Sequence, residues 1–287
     1  MLRPLCSRER YRTPNGTGRP REAQARWLRK PASGMVRFMA PSTSFVVLFA
    51  ASLLAGAQNA LAGGGSFVTL PALLLAGLDP RAANVTSTVA LFPGQMLSGW
   101  AGRSLARGAP SLSFRALCVI SLAGGAVGAV LLLSTPAAFF ARLVPWLVLF
   151  ATAVFAYGSF FRRPTDMARV GTVTAGLLQF AISIYGGYFG GGIGFLMLAA
   201  LTAAGLAVRA AAATKNVLAG VMNFSALLIF LWSPDVRWGP AAVVCAGAIA
   251  GGLSGVWLLR RVPERALRGG VVAIGAALTV GLFLRPV

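Results

Sequence analysis

From residue 43 onward the chain is a succession of apolar runs, each about as long as the hydrocarbon of a bilayer is thick. A helix rises about 1.5 Å per residue, so about 20 residues cross it. Eight such runs stand out, at 43–62, 82–101, 114–133, 142–161, 171–190, 210–232, 239–259 and 267–284. Charged residues make up 11% of the 287, against about 25% in a soluble domain, which leaves too little polar surface to face water. The runs lack the strict alternation of barrel strands. The expectation is an all-α, polytopic membrane protein with about eight transmembrane helices.

Two further apolar stretches, 66–77 and 193–206, are too short to span. Gly63, Gly64 and Gly65 precede the first; Gly190, Gly191 and Gly192 precede the second. Three glycines in place of alanines weaken a helix by about 2–3 kcal/mol, so each cluster is a place to break one. A shift of 128 residues aligns 63–88 with 191–216 without gaps, and 13 of 26 positions are identical. The in-register matches include Gly64/Gly192, Phe67/Phe195, Gly77/Gly205, Leu78/Leu206, Arg81/Arg209 and Thr86/Thr214. The chain therefore reads as two transmembrane repeats, 43–161 and 171–285, each with a Gly-broken helix.

A broken helix is tolerated in hydrocarbon only where its freed backbone groups are buried in protein or line a wet cavity. Transporters built from repeats place such breaks around a substrate near the midplane. A helix N-terminus offers unpaired N–H donors and about half a positive charge, which favours anions. Polar residues follow both breaks: Thr86 and Ser87 after the first, Thr214, Lys215 and Asn216 after the second. Hydroxyls and amides there can simply cap a helix, and a lysine near an interface can snorkel. An intramembrane lysine otherwise costs about 2.5–3.5 kcal/mol and marks a site or pathway. The candidate substrate-binding set is Gly63, Gly64, Gly65, Thr86, Ser87, Gly190, Gly191, Gly192, Thr214, Lys215 and Asn216. Gln58, Asn59, Gln95, Gln179 and Asn223 add amides at similar depth, some of them explicable by packing.

The six acids are Glu9, Glu22, Asp79, Asp166, Asp235 and Glu264, all outside the apolar runs, and there is no histidine. That removes the usual proton-relay groups and any histidine-based catalysis or metal site. Cys6, Cys118 and Cys245 have no metal-ligand or CxxC spacing. No enzyme, cofactor or metal is expected, and a pathway of one lysine, hydroxyls, amides and helix N-termini suits an anion.

The net charge of +20 has two sources. Nine basic residues lie in 1–34, and most others sit in short loops, as basic residues do around membrane helices. Residues 1–42 read as a basic, disordered tail, with Met35 as an alternative start. Apart from Tyr11 and Trp27 its first 34 residues lack aromatics, so no nucleic-acid partner is expected. With the N-terminus inside and simple alternation of spans, loops 102–113, 162–170 and 233–238 fall on the cytoplasmic side. The loop of Arg260 and Arg261 then lands outside, against the positive-inside rule. Either the breaks change the crossing count or the repeats are inverted; the sequence leaves both open.

GGGSFVTLPALLLAGLDPRAANVTSTVALFPGQMLSG, followed half a chain later by GGGIGFLMLAALTAAGLAVRAAAATKNVLAGVMNFSALLIF, resembles the sulfite exporter TauE/SafE family of membrane permeases. The resemblance covers essentially residues 43–285. It implies a multi-pass permease of the plasma (inner) membrane that exports sulfite, sulfonates or related small organic anions. The readings that compete with it are a non-transporting assembly or sensor subunit and an anion channel. The partners expected are a small anion and the lipid bilayer.

Overall fold

The computed structural model describes residues 41–61, 64–157, 160, 171–259 and 264–284. Gly63 and almost all of the basic tail lie outside them. Among the described residues the chain forms helices and no strand. In order these are α1 (Pro41–Leu61), α2 (Ser66–Leu75), α3 (Pro80–Gly102), α4 (Phe114–Ser134), α5 (Ala137–Ala156), α6 (Thr172–Tyr188), α7 (Ile193–Ala203), α8 (Val208–Phe230), α9 (Trp238–Leu259) and α10 (Glu264–Leu284). Eight are long, and α2 and α7 are the short pieces behind the glycine breaks. By length and apolarity alone, α4, α5 and α8 suffice to cross a membrane. The run expected at 142–161 forms a helix at 137–156, because Pro136 turns the chain directly after α4 and serves as the N-cap.

Both short helices end in the same local structure. Gly77 and Gly205 take φ of +93° and +96°, conformations that favour glycine. Leu78 N–H donates to Leu73 O and Leu206 N–H to Leu201 O, at 3.1 and 3.0 Å, closing two Schellman turns 128 residues apart. Asp79 then caps α3 by accepting from the Arg81 and Ala82 N–H groups, with Pro80 at the first helical position.

The direction of each helix follows from its contacts. α3 has 23 residues, about 34 Å of rise, so its ends lie on opposite faces of the molecule. At its start Arg81 donates to Thr135 O, just past α4, and pairs with Asp235, just past α8. This is the Arg81 face. Beyond its end, the Arg107 backbone meets Thr214 of α8, and Pro110 abuts Gly205 between α7 and α8. This is the Arg107 face. α6 lies parallel to α4, with Gly124 on Ser183 and Gly128 on Ile184; a methyl at Gly128 would collide with the Ile184 carbonyl. α1 lies parallel to α9 in the equivalent way, with Gly247 on Ser52 and Gly251 on Leu53. The glycines let these backbones approach closely, as small residues do between membrane helices.

It follows that α1 enters from the Arg81 face and α2 returns to it, whereas α6 enters from the Arg107 face and α7 returns there. Each half is a re-entrant hairpin followed by three crossings, an odd number, so the second half is inverted relative to the first. α3 and α8 cross antiparallel where the halves exchange places. Asn223 Nδ2 donates to Gln95 Oε1 there, between residues 128 apart. The Phe92–Phe224 ring pair and the Met96–Gly220 contact flank that bond and map onto each other under the same shift. The axis relating the halves thus passes between Gln95 and Asn223. The halves also interlock, since α1 packs on α9 and α4 on α6.

The inversion turns the ends of α3, α5 and α9 toward one face, the Arg107 face, where Arg103 and Arg107 follow α3. Loop 162–170 and the loop of Arg260 and Arg261 lie outside the described residues. Loop 233–238, expected with loop 102–113, lies on the opposite face. Trp100 is exposed at the Arg107 end of α3, with the Arg103 guanidinium 3.8 Å from its ring centroid, and Trp232 and Trp238 are exposed at the Arg81 face. That is how tryptophan marks the two membrane interfaces.

Candidate functional site

The two breaks meet near the middle of the molecule. Phe67 of α2 and Phe195 of α7, equivalent residues of the two repeats, both pack edge-on against Phe155 of α5, with ring centroids 6.0 and 4.3 Å away. All three rings are buried, and each edge-on aromatic pair contributes about 0.5–1.5 kcal/mol. These contacts hold both short helices against one strut. Gly190 of the second break lies beside the Ser66 hydroxyl at the head of α2. A cavity opens where the helix starts converge.

Gly64 and Ser66 line it from the first break, and Gly190, Ile193 and Gly194 from the second. The Phe67, Val68 and Phe195 N–H groups donate to the break carbonyls of Gly64, Gly65 and Gly192. Among the described residues this leaves the Ser66, Ile193 and Gly194 N–H groups as the free donors of two helix N-termini that share one small space. The rest of the lining includes Asn59 of α1, Gln95 and Ser98 of α3, and Lys215 and Asn216 of α8. Lys215 sits two turns inside α8 and is 3% exposed. Its ammonium has no hydrogen-bond or ion-pair partner among the described residues. The cavity measures about 20 Å³, room for about one water. Admitting anything larger requires the lining to move.

The other candidates are placed differently. Gly65 is engaged behind the lining, its N–H donated to Asn59 Oδ1. Gly191 and Gly192 form the second break without lining the cavity; Gly192 takes φ of +74° and caps α7. Ser87 shares a 2.6 Å hydrogen bond with Thr69, tying α3 to α2. Thr86 accepts from the Arg237 N–H, and Thr214 both accepts from the Arg107 N–H and donates to its carbonyl. These hydroxyls hold backbone of the opposite half near the two faces, away from the cavity. Their position just after a break signalled a polar role, but not its partner. Asn59, Gln95 and Ser98 join the lining from helices whose intramembrane polarity was the one sequence signal for them.

Inverted halves, two re-entrant hairpins and an unpaired buried charge at their junction are the build of a membrane transporter. The comparisons with known proteins agree. The chain matches the sulfite exporter TauE/SafE description over residues 48–282, and it belongs to that family. It is 28% identical over 236 residues to a "Probable membrane transporter protein" of Haemophilus influenzae, covering 81% of this chain and 92% of the relative. It is 27% identical over 249 residues to "Probable membrane transporter protein YfcA" of Escherichia coli K12, covering 86% and 92%. A "Probable membrane transporter protein ORF9" of a Sinorhizobium species is 29% identical over 246 residues, covering 83% and 92%. No solved structure matches the chain.

Proposed function

We propose that this transporter is a secondary permease of the plasma (inner) membrane that exports small anions, sulfite, sulfonates or related organic anions foremost. The observation that carries this reading is Lys215. A buried ammonium costs several kcal/mol unless something compensates it, and among the described residues nothing in the fold does. Two helix N-termini face the same cavity and add positive potential. The contact set is Gly64, Gly190, Lys215 and Asn216 with the N–H groups of Ser66, Ile193 and Gly194, whereas Thr86, Ser87 and Thr214 shape the site from outside. The arginine-rich Arg107 face is the cytoplasmic one. The substrate is carried and not converted.

The test is sulfite and sulfoacetate flux in proteoliposomes, wild type against Lys215→Ala. Collapse of flux in the variant by about tenfold or more, as expected for a lost charged hydrogen bond, at unchanged protein yield, supports the reading. Wild-type flux that survives the substitution removes Lys215 from the site. Absence of flux for both anions in folded protein removes the substrate class.

A further inference from the structure

Asn59 lies in the last turn of α1, two residues before its end at Leu61, and lines the cavity. Its carbonyl oxygen is already committed, because Oδ1 accepts the Gly65 N–H at 3.2 Å. That N–H lies at the start of α2 and has no intrahelical acceptor. The neighbouring amide faces the opposite need: Gln58 Nε2 donates to Gly64 O at 3.2 Å. The two consecutive amides therefore divide the break between them, one serving its carbonyl and the other its N–H. An amide has two donors on its nitrogen and an acceptor on its oxygen. With Oδ1 tied to the main chain, Asn59 cannot turn over without orphaning Gly65, so what it offers a ligand is the Nδ2 donor. Lys215, on the same cavity, offers donors only.

We propose that Asn59 is the specificity-determining residue of this transporter: the broken backbone locks its amide so that an N–H donor, never a carbonyl, meets the substrate beside Lys215. The proposal rests on the anion reading above and narrows it. An oxyanion whose oxygens are all acceptors satisfies both groups. A cation, or a carboxylic acid presenting its own proton, leaves Nδ2 and the ammonium facing a donor, the unpaired-polar penalty that makes such sites selective.

Asn59→Asp isolates this role. The carboxylate still accepts the Gly65 N–H, so a purely structural asparagine would tolerate the change. It replaces the cavity-facing donor with a charged acceptor next to Lys215. The probe is methanesulfonate, which stays ionised, measured as flux into proteoliposomes and as anion-dependent thermal stabilisation of the full chain. The expected result for Asn59→Asp is a melting temperature equal to or above the wild type's, flux reduced about tenfold or more, and loss of the stabilisation by methanesulfonate. Asn59→Met, neutral but without donor or acceptor, should lose flux and also melt earlier, because Gly65 is orphaned. An Asn59→Asp protein that transports and binds methanesulfonate like the wild type overturns the proposal while leaving the anion reading intact. A folded wild type that moves neither methanesulfonate nor sulfite overturns both.

Discussion

At the Arg107 face, Thr214 clasps one residue of the opposite half with two hydrogen bonds to the Arg107 backbone, both 2.9 Å. At the Arg81 face, Thr86 makes the equivalent clasp more loosely, 3.1 Å from the Arg237 N–H and 3.5 Å from Asp235 O. The side chains differ more than the backbones. Arg81 pairs with Asp235, its Nε 2.9 Å from Oδ2 in a contact that is ionic and not a directed hydrogen bond, and NH2 donates to Oδ1 at 3.3 Å. The repeat equivalent of Arg81 is Arg209, and the segment clasped on its side carries Arg107 where the other carries Asp235. Both arginines are exposed and neither has an ion-pair partner among the described residues. Duplication kept the clasp, which uses a hydroxyl and main chain, and let the charges diverge. One face is latched by opposite charges and the other carries like charges.

Breaking the clasps should have the largest effect. Thr214→Val removes the one partner that the Arg107 N–H and carbonyl have among the described residues, and should destabilise the protein by about 2–3 kcal/mol, read as a lower melting temperature in detergent. Thr86→Val, which loses one good bond and one long one, should cost about half as much. An equal loss at both faces would contradict the difference in geometry. Asp235→Ala strands a partly buried guanidinium and should cost about 1 kcal/mol, less at high salt. Arg107→Asp sharpens the comparison from the other side, supplying the acid that the Arg107 face lacks. It should slow anion flux a few-fold by latching both faces, by about the 1 kcal/mol of a favourable surface pair, and Arg209→Ala in that background should restore the flux. The smallest effect belongs to Arg209→Ala alone, within about 0.5 kcal/mol in stability.

Much of this was legible in the sequence. Apolar runs of bilayer length gave eight helices within a few residues, and the glycine clusters gave both breaks. The 128-residue shift is visible again in the paired Schellman turns and in Phe67 and Phe195. Lys215 was conspicuous as a charge in an apolar run. Thr86 and Thr214 were conspicuous too, but their partners, 151 and 107 residues distant, lie in loops of the opposite half. A hydroxyl looks the same in sequence whether it meets a ligand or a carbonyl. Asn59 stood among five undistinguished intramembrane amides, and only its bond to Gly65 separates it from them.

The helices, the breaks and the duplication follow from residue order alone, because hydrophobic length, helix propensity and self-similarity are local or additive properties of the chain. The tertiary structure decided the inversion of the halves and the composition of the cavity. An apolar run reads the same in either direction across a bilayer. Which way α1 and α6 enter is fixed by glycine-lined contacts with α9 and α4, nearly 200 and about 60 residues away. The cavity exists only where those directions bring two helix starts and Lys215 together.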